Sequence, residues 1–216
     1  MRLLMLLVLM LPVLGFGSEE DKRRFEEKKV LAEQGDAMAQ LFLGIRYSNG
    51  TGVPKDDKEA AKWYRMAAEQ GVAVAQLLLG GMYTEGEGVA KNDKEAVKWF
   101  RLAADQGLAS AQFNLGAMYF LGMGVPEDYK EAVKWYRLAA DQGDADAQYN
   151  LGVMYDNGAG VPKDNLLAYM WWNIAGANGQ DGGGNMGILT DLMSQADIAK
   201  AQEMTRQYIK DHPDVY

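Results

Sequence analysis

Apolar residues recur at helical spacing along most of the chain. Within residues 38–47, Ala39, Leu43 and Tyr47 lie four apart, so they share one face of a helix. Residues 58–71 carry apolar side chains at the i, i+3, i+7 and i+8 spacing of a buried face, with charged residues opposite. The pattern predicts two amphipathic helices separated by a polar, glycine-rich loop.

This helix–loop–helix pattern occurs four times without a gap, and glycines mark its period of 36 residues at Gly35, Gly71, Gly107, Gly143 and Gly179. The first helices read MAQLFLGIRY, VAQLLLGGMY, SAQFNLGAMY and DAQYNLGVMY. The loops read NGTGVPKD, EGEGVAKN, LGMGVPED and NGAGVPKD. The second helices read KEAAKWYRMAAEQG, KEAVKWFRLAADQG, YKEAVKWYRLAADQG and NLLAYMWWNIAGANG. Such identity indicates tandem structural repeats.

Polar residues predict how each second helix begins. A residue suited to capping the helix precedes each one, at Asp56, Asn92, Asp128 and Asp164. Three residues later, Glu59, Glu95 and Glu131 predict a capping box in the first three copies. The fourth copy has Leu167 there, which predicts a weaker cap. Glu59 and its equivalents are also expected to pair with a lysine three residues on, such as Lys62.

Each first helix contains an internal glycine, where glycine costs about 1 kcal/mol relative to alanine. These residues are Gly44, Gly80, Gly116 and Gly152. We expect them to let the paired helix pack backbone against backbone.

A single helix pair of this size cannot bury its apolar face, so stacked copies should bury one another. The sequence therefore predicts an all-α, right-handed α/α superhelix (solenoid) of four 36-residue helix-turn-helix repeats with capping helices at both ends. The predicted units are an N-terminal capping helix at 18–34, repeats at 35–70, 71–106, 107–142 and 143–178, and a C-terminal capping segment at 179–216.

The shared pattern AxAQxxLGxMYxxGxGVxxDxxEAxKWYRxAAxQG resembles the Sel-1-like repeat, a relative of the tetratricopeptide repeat, over about residues 30–179. The resemblance implies a scaffold or adaptor for protein–protein interaction, with exported bacterial members in envelope processes, host contact and signalling. One branch of the family has a disulfide in each repeat and has been credited with β-lactamase or penicillin-binding activity. This chain contains no cysteine and so departs from that branch.

The first 17 residues differ in character from the rest. Arg2 precedes an apolar run from Leu3, and the small residues Gly15 and Gly17 follow, which is typical of a secretory signal peptide. The run is short for a hydrocarbon core of about 30 Å. We expect cleavage after Gly17, export to the periplasm or medium, and no stable membrane insertion of the mature chain; an uncleaved membrane anchor is the alternative.

The composition limits which partners and which catalytic groups the chain can have. The net charge is −8 and basic residues form no long block, which argues against a nucleic-acid partner. Without cysteine there is no thiol chemistry, and the one histidine, His212, lies in the tail, where we expect it to be solvated. No serine has a lysine three residues on, so the β-lactamase nucleophile motif is absent. The sequence predicts no catalytic residue, cofactor or metal; a paired-carboxylate hydrolase site and calcium in the loops near Asp56 and Asp164 are the alternatives.

Positions that change between copies are candidates for recognition, because constant positions hold the stack. On the first helices, expected to line the concave surface, variable positions spaced three and four apart share one face. They are Met38, Val74, Ser110 and Asp146; Phe42, Leu78, Asn114 and Asn150; and Ile45, Gly81, Ala117 and Val153. Phe113 and Tyr149 are expected to add aromatic contacts. The Trp-aromatic pairs of the second helices could form a sugar-binding ladder, but their position on the buried stripe favours core packing.

The sequence thus favours a non-enzymatic interaction module that binds a peptide or a partner protein through the concave face. An envelope hydrolase or β-lactam-binding protein is one alternative, and a peptidoglycan-binding protein is another.

Overall fold

The computed structural model describes residues 19–180, 183–213 and 215; the predicted signal peptide at 1–17 lies outside the described residues. Within that part of the chain there are eleven α-helices and no strand. The helices are α1 Glu19–Glu33, α2 Ala37–Asn49, α3 Asp57–Glu69, α4 Ala73–Glu85, α5 Asp93–Asp105, α6 Ala109–Leu121, α7 Tyr129–Ala140, α8 Ala145–Asn157, α9 Asn165–Ala177, α10 Gly183–Leu192 and α11 Gln195–Asp211. Four copies of a first helix, a loop and a second helix follow one another, as predicted.

Each first helix packs most extensively on the second helix of its own copy, and each second helix packs on the first helix of the next copy. The structure is therefore an all-α solenoid in which every unit is buried between its neighbours. The apolar positions of the first helices form its centre, and the leucines Leu43, Leu79, Leu115 and Leu151 are fully buried.

The aromatic pairs of the second helices belong to this core. Trp63, Trp99 and Trp171 are buried, Trp135 is half-buried, and the neighbouring rings Tyr64, Phe100, Tyr136 and Trp172 are at most 3% exposed. The prediction of core packing is confirmed, and a sugar-binding ladder on these side chains is excluded by their burial.

The internal glycines serve a different contact from the one predicted. A Cβ added at Gly80 would lie 2.6 Å from Cδ1 of Phe100, and one at Gly116 would lie 2.8 Å from Cδ1 of Tyr136. Gly44 faces Tyr64 and Gly152 faces Trp172 in the same way. Each glycine thus admits an aromatic ring of the paired helix against the first-helix backbone, so the prediction of backbone-on-backbone packing was wrong.

The second helices are capped by the predicted residues, but without the predicted boxes. Asp56 Oδ1 accepts hydrogen bonds from the backbone N–H groups of Lys58 and Glu59. The reciprocal bond is absent among the described residues, because the N–H of Asp56 donates instead to the carbonyl of Tyr47 at 2.9 Å. The other three caps repeat this loop-closing bond to Tyr83, Tyr119 and Tyr155.

The glutamates that were expected to complete the boxes pair with lysines instead. Lys62 lies 3.5 Å from Glu59, and the pairs Lys98–Glu95 and Lys134–Glu131 repeat the prediction. In the fourth copy, Asp164 accepts from Leu166 and Leu167 at 2.9 and 3.0 Å, so its cap makes the same two bonds as those of Asp56 and Asp128 and is not the weaker one predicted.

A chain of glutamine hydrogen bonds crosses every junction, and sequence analysis missed it. Gln112 in α6 is 5% exposed, and its Nε2 donates to the carbonyl of Ala104 at the end of α5, the second helix of the preceding copy. Its Oε1 accepts from Nε2 of Gln142 at the end of α7, at 2.8 Å. We call this arrangement the glutamine relay. Its other members are Gln40 with Ala32 and Gln70, Gln76 with Ala68 and Gln106, and Gln148 with Ala140 and Asn178.

Helix α1 takes the place of a second helix at the N-terminal end. Its Phe25 and Ala32 are buried against α2, and the Ala32 carbonyl receives the first bond of the glutamine relay. No described helix is both long and apolar enough to span a bilayer.

At the C-terminal end, α10 and α11 both pack on α9. Ser194 caps α11, since its Oγ accepts from the N–H of Asp197, and Lys200, Glu203 and Arg206 are exposed. The hydroxyl of Tyr208 donates to Asp141 at 2.8 Å, which ties α11 back to the end of α7. His212 is half-buried and stacks on Tyr208 with ring centroids 4.1 Å apart, so the expectation of a solvated tail histidine was wrong.

Candidate partner-binding site

The variable positions of the first helices lie on the outside of the stack, and we call this surface the first-helix face. Its first turn is the most exposed: Met38 is 62% exposed and Val74 43%, and Ser110 and Asp146 are exposed as well. One turn later, Phe42, Leu78, Asn114 and Asn150 are half-buried. Every repeat therefore presents its variable residues to solvent in the same orientation.

The two asparagines of this face carry unused hydrogen-bonding groups. The side-chain amides of Asn114 and Asn150 make no hydrogen bond to any residue that the structure describes. An asparagine amide offers two donors and a carbonyl acceptor, which match a peptide backbone.

Two other predicted residues are covered by the terminal helices. The ring of Phe42 lies beneath the guanidinium groups of Arg46, 4.9 Å from its centroid, and of Arg24 of α1. The hydroxyl of Tyr149 accepts from Nδ2 of Asn185 of α10 at 2.7 Å. These contacts leave the middle of the face more open than its two ends.

Phe113 is largely taken up by packing. Its ring lies 5.8 Å from that of Tyr136 between centroids, and it contacts the C-terminal core. Its part in the face is to shape the wall next to Asn114 rather than to offer an open ring.

Leu78 and Asn114 meet in a cavity of about 560 Å³ between α4 and α6, which we call the α4–α6 cavity. That volume falls within the roughly 300–1,000 Å³ range of small-ligand sites. Burial raises the pKa of Tyr64, whose phenol lies in the wall of this cavity. Its lining residues are Ser48, Tyr64, Leu77, Leu78, Gly81, Met82, Thr84, Glu85, Glu87, Phe100, Asn114, Ala117, Met118 and Met123.

The acidic residues of this cavity were missed by the sequence analysis, which treated the loops only as connections. Glu85 ends α4 and Glu87 lies in the loop that follows, and both are exposed. A comparison of the copies could have found them, since the loop EGEG alone has acids at these two positions.

The loop aspartates considered as calcium ligands have another role. Oδ1 of Asp56 and of Asp164 each accept two backbone N–H groups at a helix start. Over residues 19–180 and 183–213, no group of three histidine, aspartate or glutamate side chains comes close enough to hold a metal ion.

A family model described as Sel1 repeat matches residues 37–72, 73–108, 109–144 and 145–180. Each matched unit has the 36-residue length found above and begins two residues after the corresponding unit delimited from the glycines. A search among curated proteins finds no significant match.

Two solved structures are similar over nearly the whole chain. A Sel1 repeat protein from Oxalobacter formigenes is 33% identical with a TM-score of 0.69, and the match covers 91% of this chain and 83% of that one. A protective antigen of uropathogenic Escherichia coli with an SLR fold is 32% identical with a TM-score of 0.58, and the match covers 90% of this chain and 49% of that one.

Proposed function

The chain belongs to the Sel1 repeat family, whose members commonly mediate protein–protein interaction, and we propose that it is a non-enzymatic, exported interaction module of the bacterial envelope. In this proposal the first-helix face binds a protein or an extended peptide. Export rests on the signal-like residues 1–17.

The observation that carries the proposal is the division between constant and variable positions. Constant residues, such as Leu115 and Gln112, are buried and hold neighbouring units together. The variable positions of the first helices emerge on one surface, and there Asn114 and Asn150 leave their amides free of bonds to the described residues. Buried polar groups normally find partners, and half-buried amides beside apolar side chains are suited to receive them from a bound chain.

The test begins with affinity capture of partners from the envelope of the source cell and their identification by mass spectrometry. Calorimetry then compares the wild type with the double variant Asn114→Ala, Asn150→Ala. Each net hydrogen bond contributes about 0.5–1.5 kcal/mol, so we expect affinity to fall by roughly 5- to 150-fold. The melting temperature should change little, because neither amide bonds within the described fold.

A matched control is Asn49→Ala, Asn157→Ala, which removes two exposed asparagines at the last residues of α2 and α8, outside the first-helix face. This variant should bind like the wild type. Equal affinity of all three proteins would remove the assignment to the first-helix face, and failure to recover any specific partner would contradict the proposed function itself.

A further inference from the structure

The second copy differs from the others at the positions that enclose the α4–α6 cavity. Gly81 stands where the other copies have Ile45, Ala117 and Val153. A Cβ built on Gly81 would meet no atom within 4 Å, so the missing side chain leaves open space. The cavity therefore depends on a residue that only this copy has.

The next junction along the stack shows what larger residues would do. There Phe113 stands at the position of Leu77, and Phe120 at the position of Thr84. Both rings pack against neighbouring aromatic residues, with centroids 5.8 Å and 5.4 Å from their partners. Leu77 and Thr84 are smaller than phenylalanine and thus leave room that these rings take up one repeat later.

The acidic residues at the cavity are equally specific to this copy. Glu85 and Glu87 correspond to uncharged residues in the other three copies: Asn49 and Thr51, Leu121 and Met123, and Asn157 and Ala159. Both glutamates are exposed, and neither forms an ion pair with any described residue. No lysine or arginine of the described chain is among the residues that line the cavity, and the two carboxylates give its rim negative charge.

Apolar residues form a large part of the remaining lining. They include Leu77, Leu78 and the methionines Met82, Met118 and Met123. Methionine side chains adjust to ligands of different shape because they are unbranched and polarizable. Asn114 adds an amide that can bond to a main chain passing over the cavity.

We infer that the α4–α6 cavity binds a basic, apolar segment of a partner protein in extended conformation. Apolar side chains of the segment enter between α4 and α6, its backbone bonds to the amide of Asn114, and a neighbouring lysine or arginine pairs with Glu85 and Glu87. In an extended chain successive side chains point to opposite sides, so an apolar residue can be buried while the adjacent cation reaches the acidic rim. The inference rests on the proposed function and names the class of partner that this site recognises.

The probes are four blocked, fluorescein-labelled octapeptides that alternate Leu/Lys, Leu/Glu, Leu/Ser or Ser/Lys. Fluorescence anisotropy at low and high salt measures their binding to the full protein. Gly81→Leu places a side chain in the open space of the cavity, and the helical position should tolerate it because leucine favours helix over glycine. Glu85→Gln, Glu87→Gln removes the charges alone.

A matched control for the charge change is Glu69→Gln, Asp105→Asn. These exposed acids end α3 and α5, lie outside the cavity and form no ion pair with the described residues. The control changes the net charge by the same amount as the cavity variant does.

We expect the Leu/Lys peptide to bind best, and to lose affinity at least tenfold in Gly81→Leu. The glutamine double variant should lose roughly threefold to tenfold, in keeping with exposed charge pairs, and that loss should shrink at high salt. The control variant should match the wild type. This set of results supports the inference.

Tighter binding of the Leu/Glu or Leu/Ser peptide would overturn the basic class of partner. Unchanged Leu/Lys affinity in Gly81→Leu would overturn the cavity as the site, and no binding of any peptide would overturn the inference as a whole. In each of these cases the proposed function stands if the captured partner still loses affinity in Asn114→Ala, Asn150→Ala, so the two failures are distinguishable.

Discussion

Alanine in place of either of two adjacent glycines of α4 should change the free energy of unfolding in opposite directions. Gly80 faces the ring of Phe100, and an added Cβ would lie 2.6 Å from both Cδ1 and Cε1 of that ring. Phe100 is 3% exposed, so the ring cannot move aside into solvent. Gly81 has no neighbour within 4 Å of such a Cβ.

The magnitudes follow from two effects. Alanine is better than glycine in a helix by about 1 kcal/mol, and both variants gain this. Overpacking a filled core costs typically 1–3 kcal/mol, and a carbon contact at 2.6 Å, far inside the optimum of about 3.5–4.0 Å, belongs at the upper end of that range. Gly80→Ala should therefore lose about 2 kcal/mol of unfolding free energy, whereas Gly81→Ala should gain about 1 kcal/mol.

Urea unfolding followed by far-UV circular dichroism measures both values on the same protein. With a slope of about 1–3 kcal/mol per molar urea, the midpoints of the two variants should differ by about 1 M or more. Phe100→Leu in the Gly80→Ala background should recover part of the loss, because it removes the ring that the new methyl group meets. Midpoints that shift together would refute the ring-on-glycine contact as the reason for the internal glycines.

Two further predictions concern Gln112, which is buried, and Asp144, which is half-buried. Gln112→Met keeps the side-chain length but removes the relay bonds to Ala104 and from Gln142. The free energy of unfolding should therefore fall by about 1–3 kcal/mol. Gln195→Met, at an exposed position, is the control, and an equal loss for the two variants in urea unfolding would contradict a stabilising relay. Burial raises the pKa of Asp144 above its ordinary 3.8, so ionisation of this carboxyl subtracts from stability as the pH rises from about that value through the raised pKa. An asparagine at this position would cap α8 equally well without ionising. The melting temperature of Asp144→Asn should therefore rise relative to that of the wild type as the pH goes from 3 to 7. A difference in melting temperature between the two proteins that does not change with pH would count against this account.

The helices could be predicted from the sequence because four copies repeat one pattern, so each position is read four times. The capping boxes could not. The glutamate of each box lies close to the cap in sequence. The backbone N–H of the cap, such as Asp56, donates instead to a carbonyl, that of Tyr47, which the fold of the loop brings near. Gln112 had a signal that went unused, since a polar residue on an apolar stripe recurs at the same place in every copy.

Only part of the candidate site could be predicted from the sequence. The face carrying Leu78 and Asn114 followed from helical periodicity, and the structure brings these two residues together in one cavity. The contacts that cover Phe42 and Tyr149 come from Arg24 of α1 and Asn185 of α10. Those two helices lie outside the repeated units, so no comparison between copies could reveal these contacts.

The glutamine relay also bears on how the length of such a chain can change. At every junction a first-helix glutamine donates to the same carbonyl position of the preceding unit, from Gln40 with Ala32 through Gln148 with Ala140. A duplicated or deleted 36-residue unit would thus meet compatible hydrogen-bonding neighbours on both sides. The number of copies can therefore change during evolution without changes at the junctions. A binding pocket made by two unlike neighbours, such as the second and third copies, would be lost if they were separated.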